Sequence, residues 1–254
     1  MFDLTGKIAL LTGASKGMGL EMARALAGQG AQVVISSRKQ DQLDAATADI
    51  NDSVGRDCAK GIAANVGHRD QLQALVEKTR EDVGPIDIVI GNAGVNPFYG
   101  KTSEIPDSAY EKIMTANVQA NLWLAQLAAP DMVEKGAGSM VFTASVGAFK
   151  PSDMLGHYGM SKLALIGLVR NLAQEYGPHG IRCNAICPGV VRTDFAKELW
   201  DNPKAATRAQ TAIPLRRFGE PEDFRGVAVF LASDASAYMT GQALTLCGGT
   251  NMWA

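Results

Sequence analysis

The chain has 254 residues, of which 46% are hydrophobic and 20% charged, and its formal net charge is −2. This composition is ordinary for a soluble globular protein with a sizeable core, and the charge gives no reason to expect a nucleic-acid or membrane-surface partner. The first residues, MFDLTGKIALLTG, lack the features of a signal peptide, and no apolar run approaches the roughly 18 residues of a membrane helix. We therefore expect a cytoplasmic protein.

Short apolar segments alternate with helical patterns along the whole chain. Strands are predicted at residues 7–12, 32–36, 60–63, 86–91, 139–143, 182–186 and 243–246. Helices are predicted at about 18–27, 40–51, 70–83, 107–134, 158–176 and 220–232. The strands are apolar on both faces, as in a sheet covered by helices on each side. The pattern predicts an α/β fold, with a single Rossmann-like domain over residues 1–254 and a doubly wound, seven-stranded parallel sheet.

Cysteines and histidines form no recognisable metal or disulfide pattern. The four cysteines, Cys58, Cys183, Cys187 and Cys247, include no Cys-x-x-Cys pair, and the three histidines are spread along the chain. Buried thiols more often pack than bind metal. We expect no metal site.

The turn between the first predicted strand and the first predicted helix is the glycine-rich stretch GASKGMG. Its glycines, Gly13, Gly17 and Gly19, permit positive φ angles and let the backbone come close to a pyrophosphate. The helix that follows presents free N–H groups and the positive end of its dipole to the same anion. In this position the G-x-x-x-G-x-G spacing predicts a dinucleotide-binding turn.

The second predicted strand ends in VVISSRKQ, where NAD-binding proteins place an acidic residue for the ribose 2′-hydroxyl. Ser36 and Ser37 stand there instead, and Arg38 follows. The guanidinium of Arg38 and the ammonium of Lys16, inside the glycine turn, favour a dianionic 2′-phosphate over a hydroxyl. The alternative is that both are solvated surface charges. The sequence favours NADP(H) over NAD(H) as the cofactor.

Several motifs in a fixed order resemble the short-chain dehydrogenase/reductase family over essentially the whole chain. They are TGASKGMG (12–19), NAG (92–94), Asn117, Ser145, YGMSK (158–162) and PGVVRT (188–193). Within that family, the stretches GVNPFYG and LRRFGEPED resemble the carbonyl-reductase and 3-oxoacyl-reductase branches.

The resemblance implies four catalytic residues, Asn117, Ser145, Tyr158 and Lys162. Tyr158 would protonate the alkoxide formed when hydride reaches a carbonyl carbon, and Lys162, one helical turn on, would bring the phenol pKa from near 10 toward neutrality. Ser145 would donate to the substrate oxygen. In the family, the residue matching Asn117 distorts its helix and holds a water in a proton relay. Asn121, in the same predicted helix, has no motif role.

The resemblance also implies which residues contact the cofactor. They are Gly13, Ser15, Lys16, Gly17, Met18, Gly19, Ser37, Arg38, Asn65, Val66, Asn92, Ala93, Gly94, Tyr158, Lys162, Pro188, Gly189, Val191 and Thr193. The Val191 backbone and the Thr193 hydroxyl would bind the nicotinamide carboxamide. Two positions depart from the family pattern, since Gly91 replaces an Asn and Asn65 replaces an Asp that meets the adenine amino group. We expect the first change to be harmless and the second to weaken adenine recognition.

The segment at about 192–215 corresponds to the family's substrate lid and carries irregular helix signals. Candidate apolar residues of the substrate site are Phe195, Leu199 and Trp200 on the lid, and Phe98, Tyr99, Phe149, Met154 and Leu155 opposite it. Asn96 and His157 add polarity, although His157 is expected to pack or face solvent. Together these residues predict a medium-sized, largely apolar ketone or aldehyde and its secondary alcohol as substrates.

Two further functions stay open at this point. A 3-oxoacyl-[acyl-carrier-protein] reductase needs a basic docking surface around the site, and Lys135, Arg170 and His179 offer only a thin one. A catalytically silent NADP(H)-binding sensor would have a broken catalytic set, whereas all four positions are filled. An enoyl reductase of related fold needs a longer Tyr–Lys spacing. The resemblance implies a homotetramer, with a homodimer as the alternative.

Overall fold

The computed structural model describes residues 1–196 and 203–252. Its strands are β1 Ile8–Thr12, β2 Gln32–Ser36, β3 Ala59–Gly61, β4 Ile88–Gly91, β5 Gly138–Thr143, β6 Ile181–Pro188 and β7 Ala243–Leu246. Its helices are α1 Gly17–Gly28, α2 Gln40–Val54, α3 Arg69–Asp82, α4 Asp107–Met114, α5 Ala120–Lys135, α6 Gly156–Tyr176, α7 Pro203–Thr211 and α8 Arg225–Ala232.

The seven strands form one parallel sheet in the order β3-β2-β1-β4-β5-β6-β7, which confirms the predicted fold class. Strand β1 pairs with β2 on one side and with β4 on the other, so the strand order reverses between β1 and β4. In doubly wound sheets ligands bind at such a switch point, beyond the carboxyl ends of the strands. The loops after β1, β2, β4, β5 and β6 therefore surround the expected site.

Two apolar layers cover the sheet, one on each face. Leu10 and Val34 point into the layer formed with α3, α5 and α6. Leu11 and Ile35, their neighbours along the strands, point into the layer formed with α1, α2 and α8. Because successive strand residues point to opposite faces, strands buried on both sides are apolar throughout, as these are.

The long helix predicted at 107–134 is interrupted in the structure. Helix α4 ends at Met114, a π-helical segment covers Thr115–Gln119, and α5 begins at Ala120. Asn117 lies at the centre of this segment, where the i→i+5 pattern alters the path of the backbone. The segment at 192–215 contains α7, which was not predicted as a separate helix. No helix in the described parts of the chain has the length and apolar character to cross a membrane.

Candidate functional site

The glycine turn after β1 is packed against the loop after β4 so tightly that side chains are excluded. Gly13 has φ +64°, and a Cβ atom there would lie 2.7 Å from the Cα atom of Ala93. A Cβ on Gly19 would overlap the carbonyl oxygen of Gly13. The Asn92 amide donates to that same oxygen at 2.8 Å and accepts from the Thr143 hydroxyl at 3.1 Å. Asn92 therefore ties the glycine turn to β5.

The second half of the glycine turn contacts the segment that follows β6. A Cβ on Gly17 would lie 3.3 Å from Thr193 Cγ2, and Lys16 Nζ lies 2.5 Å from an Asp194 carboxylate oxygen. Both charged side chains are largely exposed. Met18 is partly buried against the apolar layer under α1, and Ser15 is half-buried beside it. In this structure the Lys16 ammonium is paired with Asp194 on the protein surface, and its contact with a phosphate stays a prediction.

The end of β2 carries unsatisfied polar groups. Ser36 is buried, Ser37 is half-buried, and neither hydroxyl has a hydrogen-bond partner among the described residues. Their backbone carbonyls are used, by Ala14 N–H at 3.1 Å and Ala64 N–H at 2.9 Å. The Arg38 side chain is exposed and makes no ion pair with any described residue. Because buried hydroxyls are normally hydrogen-bonded, this arrangement fits a cofactor ribose and its substituent at this position.

The loop after β3 uses Asn65 to form a turn. The Asn65 carboxamide oxygen accepts from Gly67 N–H at 3.1 Å, and Asn65 N–H donates to Gln71 at 2.8 Å. Val66, beside it, packs partly buried against the layer under α3. A bond from the Asn65 oxygen to an adenine amino group would have to use its second lone pair.

Asn117 connects the loop after β4 to helix α6. Its carboxamide is fully buried, accepts from Val95 N–H at 2.8 Å and donates to the Val95 carbonyl at 3.1 Å. It also donates to Ser161 Oγ at 3.0 Å, and the Ser161 hydroxyl donates to the Tyr158 carbonyl at 2.7 Å. A Cβ on Gly94 would lie 3.4 Å from Asn117 Oδ1, so the loop approaches the amide closely. Asn117 and Tyr158 are thus joined through Ser161.

Tyr158 and Lys162 lie one turn apart on α6, on the face that turns toward β5. Lys162 Nζ donates to the Thr143 carbonyl at 2.7 Å and lies 5.6 Å from the centre of the Tyr158 ring. A Cβ on Gly94 would lie 3.3 Å from the same Nζ atom. Ser145 Oγ accepts from Gly147 N–H at 3.0 Å, and its hydroxyl also hydrogen-bonds the Tyr158 side chain.

Burial dominates the protonation of both residues. It raises the pKa of Tyr158 to about 12, against a smaller opposite effect of the Ser145 hydrogen bond. It lowers the pKa of Lys162 to about 8. The tyrosine shift is opposite to the direction expected from the sequence, because burial disfavours the phenolate more than the Ser145 hydroxyl favours it. In this state Tyr158 is a protonated acid and Lys162 titrates near neutral pH.

The segment after β6 presents backbone rather than side chains to the site. Pro188 ends β6, and a Cβ on Gly189 would lie 2.9 Å from the Cβ atom of Cys247. Val191 forms an isolated parallel bridge with Gly219. Its neighbours make the two hydrogen bonds, since Arg192 N–H donates to the Gly219 carbonyl and Gly219 N–H donates to the Val190 carbonyl, both at 2.9 Å. The N–H and C=O groups of Val191 itself therefore point to the opposite side.

The candidate substrate residues separate into two groups. The Phe195 ring lies 5.9 Å from the Tyr158 ring, and the Phe98 ring lies 5.2 Å from His157. Phe149 instead lines an outer groove with Met160 and other residues on a different face of α6. Of the remaining candidates, Met154, Leu155 and Tyr99 are at least partly exposed near the start of α6, Asn96 contacts His157, and Leu199 and Trp200 lie outside the described residues.

Sequence reasoning missed a structural role for two residues, Asn121 and Gly91. The Asn121 amide is buried and donates to the Asn117 backbone carbonyl at 2.8 Å. A Cβ on Gly91 would overlap Asn121 Oδ1 and lie 2.5 Å from Phe142 Cδ1. Gly91 therefore makes room for the Asn121 side chain that supports the π segment. In the sequence, this packing is indicated only by the combination of Gly91, where the family has Asn, with a second Asn at position 121.

The parallel sheet, the closed glycine turn and the polar groups around its switch point have the form of a dinucleotide-binding fold. The chain belongs to the short-chain dehydrogenase/reductase family, since a family model described as enoyl-(acyl carrier protein) reductase matches residues 13–251. A curated relative, the dehydrogenase/reductase SDR family member 4 of Bos taurus, is 37% identical over 97% of this chain and 88% of its own length.

Solved structures agree with this assignment. A gluconate 5-dehydrogenase from Burkholderia cenocepacia, in complex with NADP and tartrate, superposes with a TM-score of 0.93 at 28% identity over 100% of this chain and 98% of that one. A 7α-hydroxysteroid dehydrogenase, complexed with NADH and 7-oxo glycochenodeoxycholic acid, gives a TM-score of 0.92 at 33% identity, with 98% and 95% covered. The chain is thus an NAD(P)-dependent oxidoreductase of alcohol or carbonyl groups.

Proposed function

We propose that this chain is an NADP(H)-dependent carbonyl reductase, which interconverts a medium-sized, largely apolar ketone or aldehyde and its alcohol. The observation that carries the proposal is the linked set around α6. Tyr158 and Lys162 share one face of that helix, and Asn117 reaches the Tyr158 backbone through Ser161. All four proposed catalytic residues, including Ser145 at the end of β5, meet at the carboxyl edge of the sheet.

A nicotinamide cofactor, held by the glycine turn after β1 and the end of β2, would supply the hydride that the carbonyl carbon receives. In the same step, the Tyr158 hydroxyl donates its proton to the carbonyl oxygen, where negative charge develops. The Ser145 hydroxyl, oriented by the Gly147 N–H, donates a second hydrogen bond to that oxygen. Lys162, held by the Thr143 carbonyl, stabilises the resulting phenolate as an ammonium. The buried Asn117 amide fixes the loop that closes this chamber.

The preference for NADP(H) rests on the end of β2. No acidic residue stands at positions 36–38, the Ser37 hydroxyl is unsatisfied, and the Arg38 guanidinium is exposed and unpaired among the described residues. In the part of the chain that the structure describes, Arg38 is unpaired and Lys16 makes only an exposed ion pair with Asp194, so both positive charges support a 2′-phosphate, with Arg38 the more directly available. One related structure was solved with NADP and another with NADH, so the relatives use both cofactors.

A 3-oxoacyl-[acyl-carrier-protein] reductase is the second candidate function. The acyl carrier protein in the description of the matching family model is the observation that favours it. Of the three basic residues considered for docking, Lys135 and His179 lie away from the proposed site. Lys135 ends α5 immediately before β5 and is bonded to Asp87 at 2.8 Å, and His179 directly precedes β6. Both stand at the amino edge of the sheet, opposite Tyr158. The four-residue spacing from Tyr158 to Lys162 also disfavours an enoyl reductase.

The test is NADPH oxidation followed optically over ketones, diketones, keto-steroids and 3-oxoacyl thioesters, with NADH in parallel. We expect a free ketone to be reduced, and NADPH to be preferred in wild type but not in Arg38→Ala. Lys39→Ala, one position on, is the matched control. Preference for NADH in the wild type overturns the cofactor proposal, and salt-sensitive activity only on carrier-bound substrates overturns the substrate proposal in favour of the second candidate.

Three expectations stay predictions: the single domain over 1–254 with its lid at about 192–215, the cytoplasmic location, and the homotetramer. Sedimentation velocity of the purified chain distinguishes a tetramer from a dimer. The proposed activity does not depend on that outcome, because every residue assigned to it lies in one chain.

A further inference from the structure

His157, for which packing or exposure to solvent was expected, is buried in the core next to Tyr158 in the chain. The residue as a whole is 1% exposed to solvent. Nε2 lies 3.0 Å from the Phe98 carbonyl and 3.3 Å from Asn96 Oδ1. A backbone carbonyl can only accept, so Nε2 carries the hydrogen and donates it to Phe98. The His157 ring also contacts the Phe98 ring, with centroids 5.2 Å apart.

The segment of residues 95–101, here termed the substrate loop, leaves β4 and passes the start of α6. Asn117 holds it at one end, through both the N–H and the C=O of Val95. At the other end, Gly100 N–H donates to the Met154 carbonyl at 3.0 Å. Between these two attachments, the contact from His157 to Phe98 is a side-chain bond that joins the loop to the catalytic helix.

The remaining ring nitrogen is informative. Nδ1 of His157 is buried and has no hydrogen-bond partner among the described residues. An unsatisfied buried polar atom costs stability, and an apolar side chain of similar volume would avoid that cost. Beyond packing, the contribution of the imidazole at this position is therefore the hydrogen bond that its Nε2–H donates. That donor acts on the substrate loop.

We propose that His157 is a positioning residue that sets the shape of the substrate site, by fixing Asn96 and Phe98 relative to Tyr158. His157 and Tyr158 are consecutive on α6, so a loop held by the first keeps a constant distance from the hydroxyl of the second. This inference rests on the proposed carbonyl reduction for its effect on substrates. The attachment itself stands independently of that activity.

Two substitutions separate the hydrogen bond from the volume of the ring. His157→Leu keeps the volume and removes the donor, and His157→Gln places an amide N–H near the position of Nε2. His179→Leu is the control, because His179 is exposed at the amino edge of the sheet. Should His157→Leu not fold, His157→Met, which also lacks a donor, carries the same test.

The first readout is hydrogen exchange at the Gly100 amide, which reports on the loop without any turnover. We expect exchange about five- to tenfold faster in His157→Leu, for the loss of one net hydrogen bond, and near wild type in His157→Gln. The second readout is a kinetic comparison in which KM for the preferred ketone rises by a similar factor while kcat and NADPH affinity stay within about threefold.

Unchanged exchange and KM in His157→Leu would overturn the proposal, and so would equal damage from Leu and Gln, which indicates ring volume alone. If the wild-type protein reduces no carbonyl compound, the proposed function fails, and the exchange of Gly100 still decides whether His157 holds the loop.

Discussion

The two sides of the site differ in how they are held. On the catalytic side, Asn117 and Lys162 are buried, and each makes hydrogen bonds of 2.7–3.1 Å to neighbouring elements. On the substrate side, Phe195 is 58% exposed, and Met154 is 38% exposed. The groups proposed to react are thus held by the core, whereas Phe195 and Met154, on the proposed substrate side, are more exposed. Changes on the first side should alter kcat, and changes on the second should alter KM.

The largest expected effect comes from removing the proton donor. Tyr158→Phe should lower kcat by about 10²–10⁴-fold, because general acid catalysis contributes that much, while NADPH affinity is retained. Steady-state kinetics and fluorescence titration of NADPH measure the two quantities. Tyr176→Phe, at the other end of α6, is the control and should behave as wild type. Near-normal turnover in Tyr158→Phe would remove Tyr158 from the mechanism.

The pH dependence tests whether Lys162 acts as a cation. Burial lowers the pKa of Lys162 to about 8, so the ammonium is present below that pH and is lost as the pH rises through it. The rate of reduction should fall about tenfold per pH unit above about pH 8, because Lys162 loses its charge there. Tyr158, with its pKa of about 12, stays protonated over this range and does not cause the fall. Lys162→Arg, whose guanidinium stays charged, should flatten the fall even if its absolute rate is lower. An alkaline fall that persists in Lys162→Arg contradicts the assignment.

A third prediction concerns the packing that supports the catalytic side. Gly91→Asn restores the residue usual in the family, but its side chain must displace Asn121 and Phe142. We expect a loss of about 1–3 kcal/mol in the free energy of unfolding, as for other overpacked cores. Denaturant unfolding measures it, with Gly28→Asn, where a Cβ meets nothing within 4 Å, as the control.

The double variant with Asn121→Ala decides the cause. If the clash with Asn121 is responsible, the second substitution recovers part of the loss, and the two changes are not additive. Additive losses would show that the clash with Phe142 alone matters.

Features set by sequence pattern were predictable, and features set by tertiary packing were not. The parallel sheet was predictable because its strands are apolar on both faces. Tyr158 and Lys162 were singled out by the family resemblance, and their four-residue spacing predicted that they share one face of a helix. The support that Asn121 gives to the Asn117 carbonyl was not predictable, because the pattern of residues 107–134 predicts one uninterrupted helix without a π segment. Nor was the position of Phe149, which packs partly buried against the core and lines a groove with Met160. Sequence motifs pointed to the candidate catalytic residues, whereas the positions of the side chains around them depend on tertiary packing.

The smallest expected effect lies on the substrate side, at Phe195. Its ring lies 5.9 Å from that of Tyr158, yet it is largely exposed, so it adds apolar contact without fixing any reacting group. Phe195→Ala should raise KM for an apolar ketone about three- to tenfold, the cost of losing part of one aromatic contact, and leave kcat within about threefold. Phe2→Ala, an exposed phenylalanine near the amino terminus, is the control. A fall in kcat with unchanged KM would mean that Phe195 orients Tyr158, and the division between the two sides of the site would then have to include Phe195 on the catalytic side.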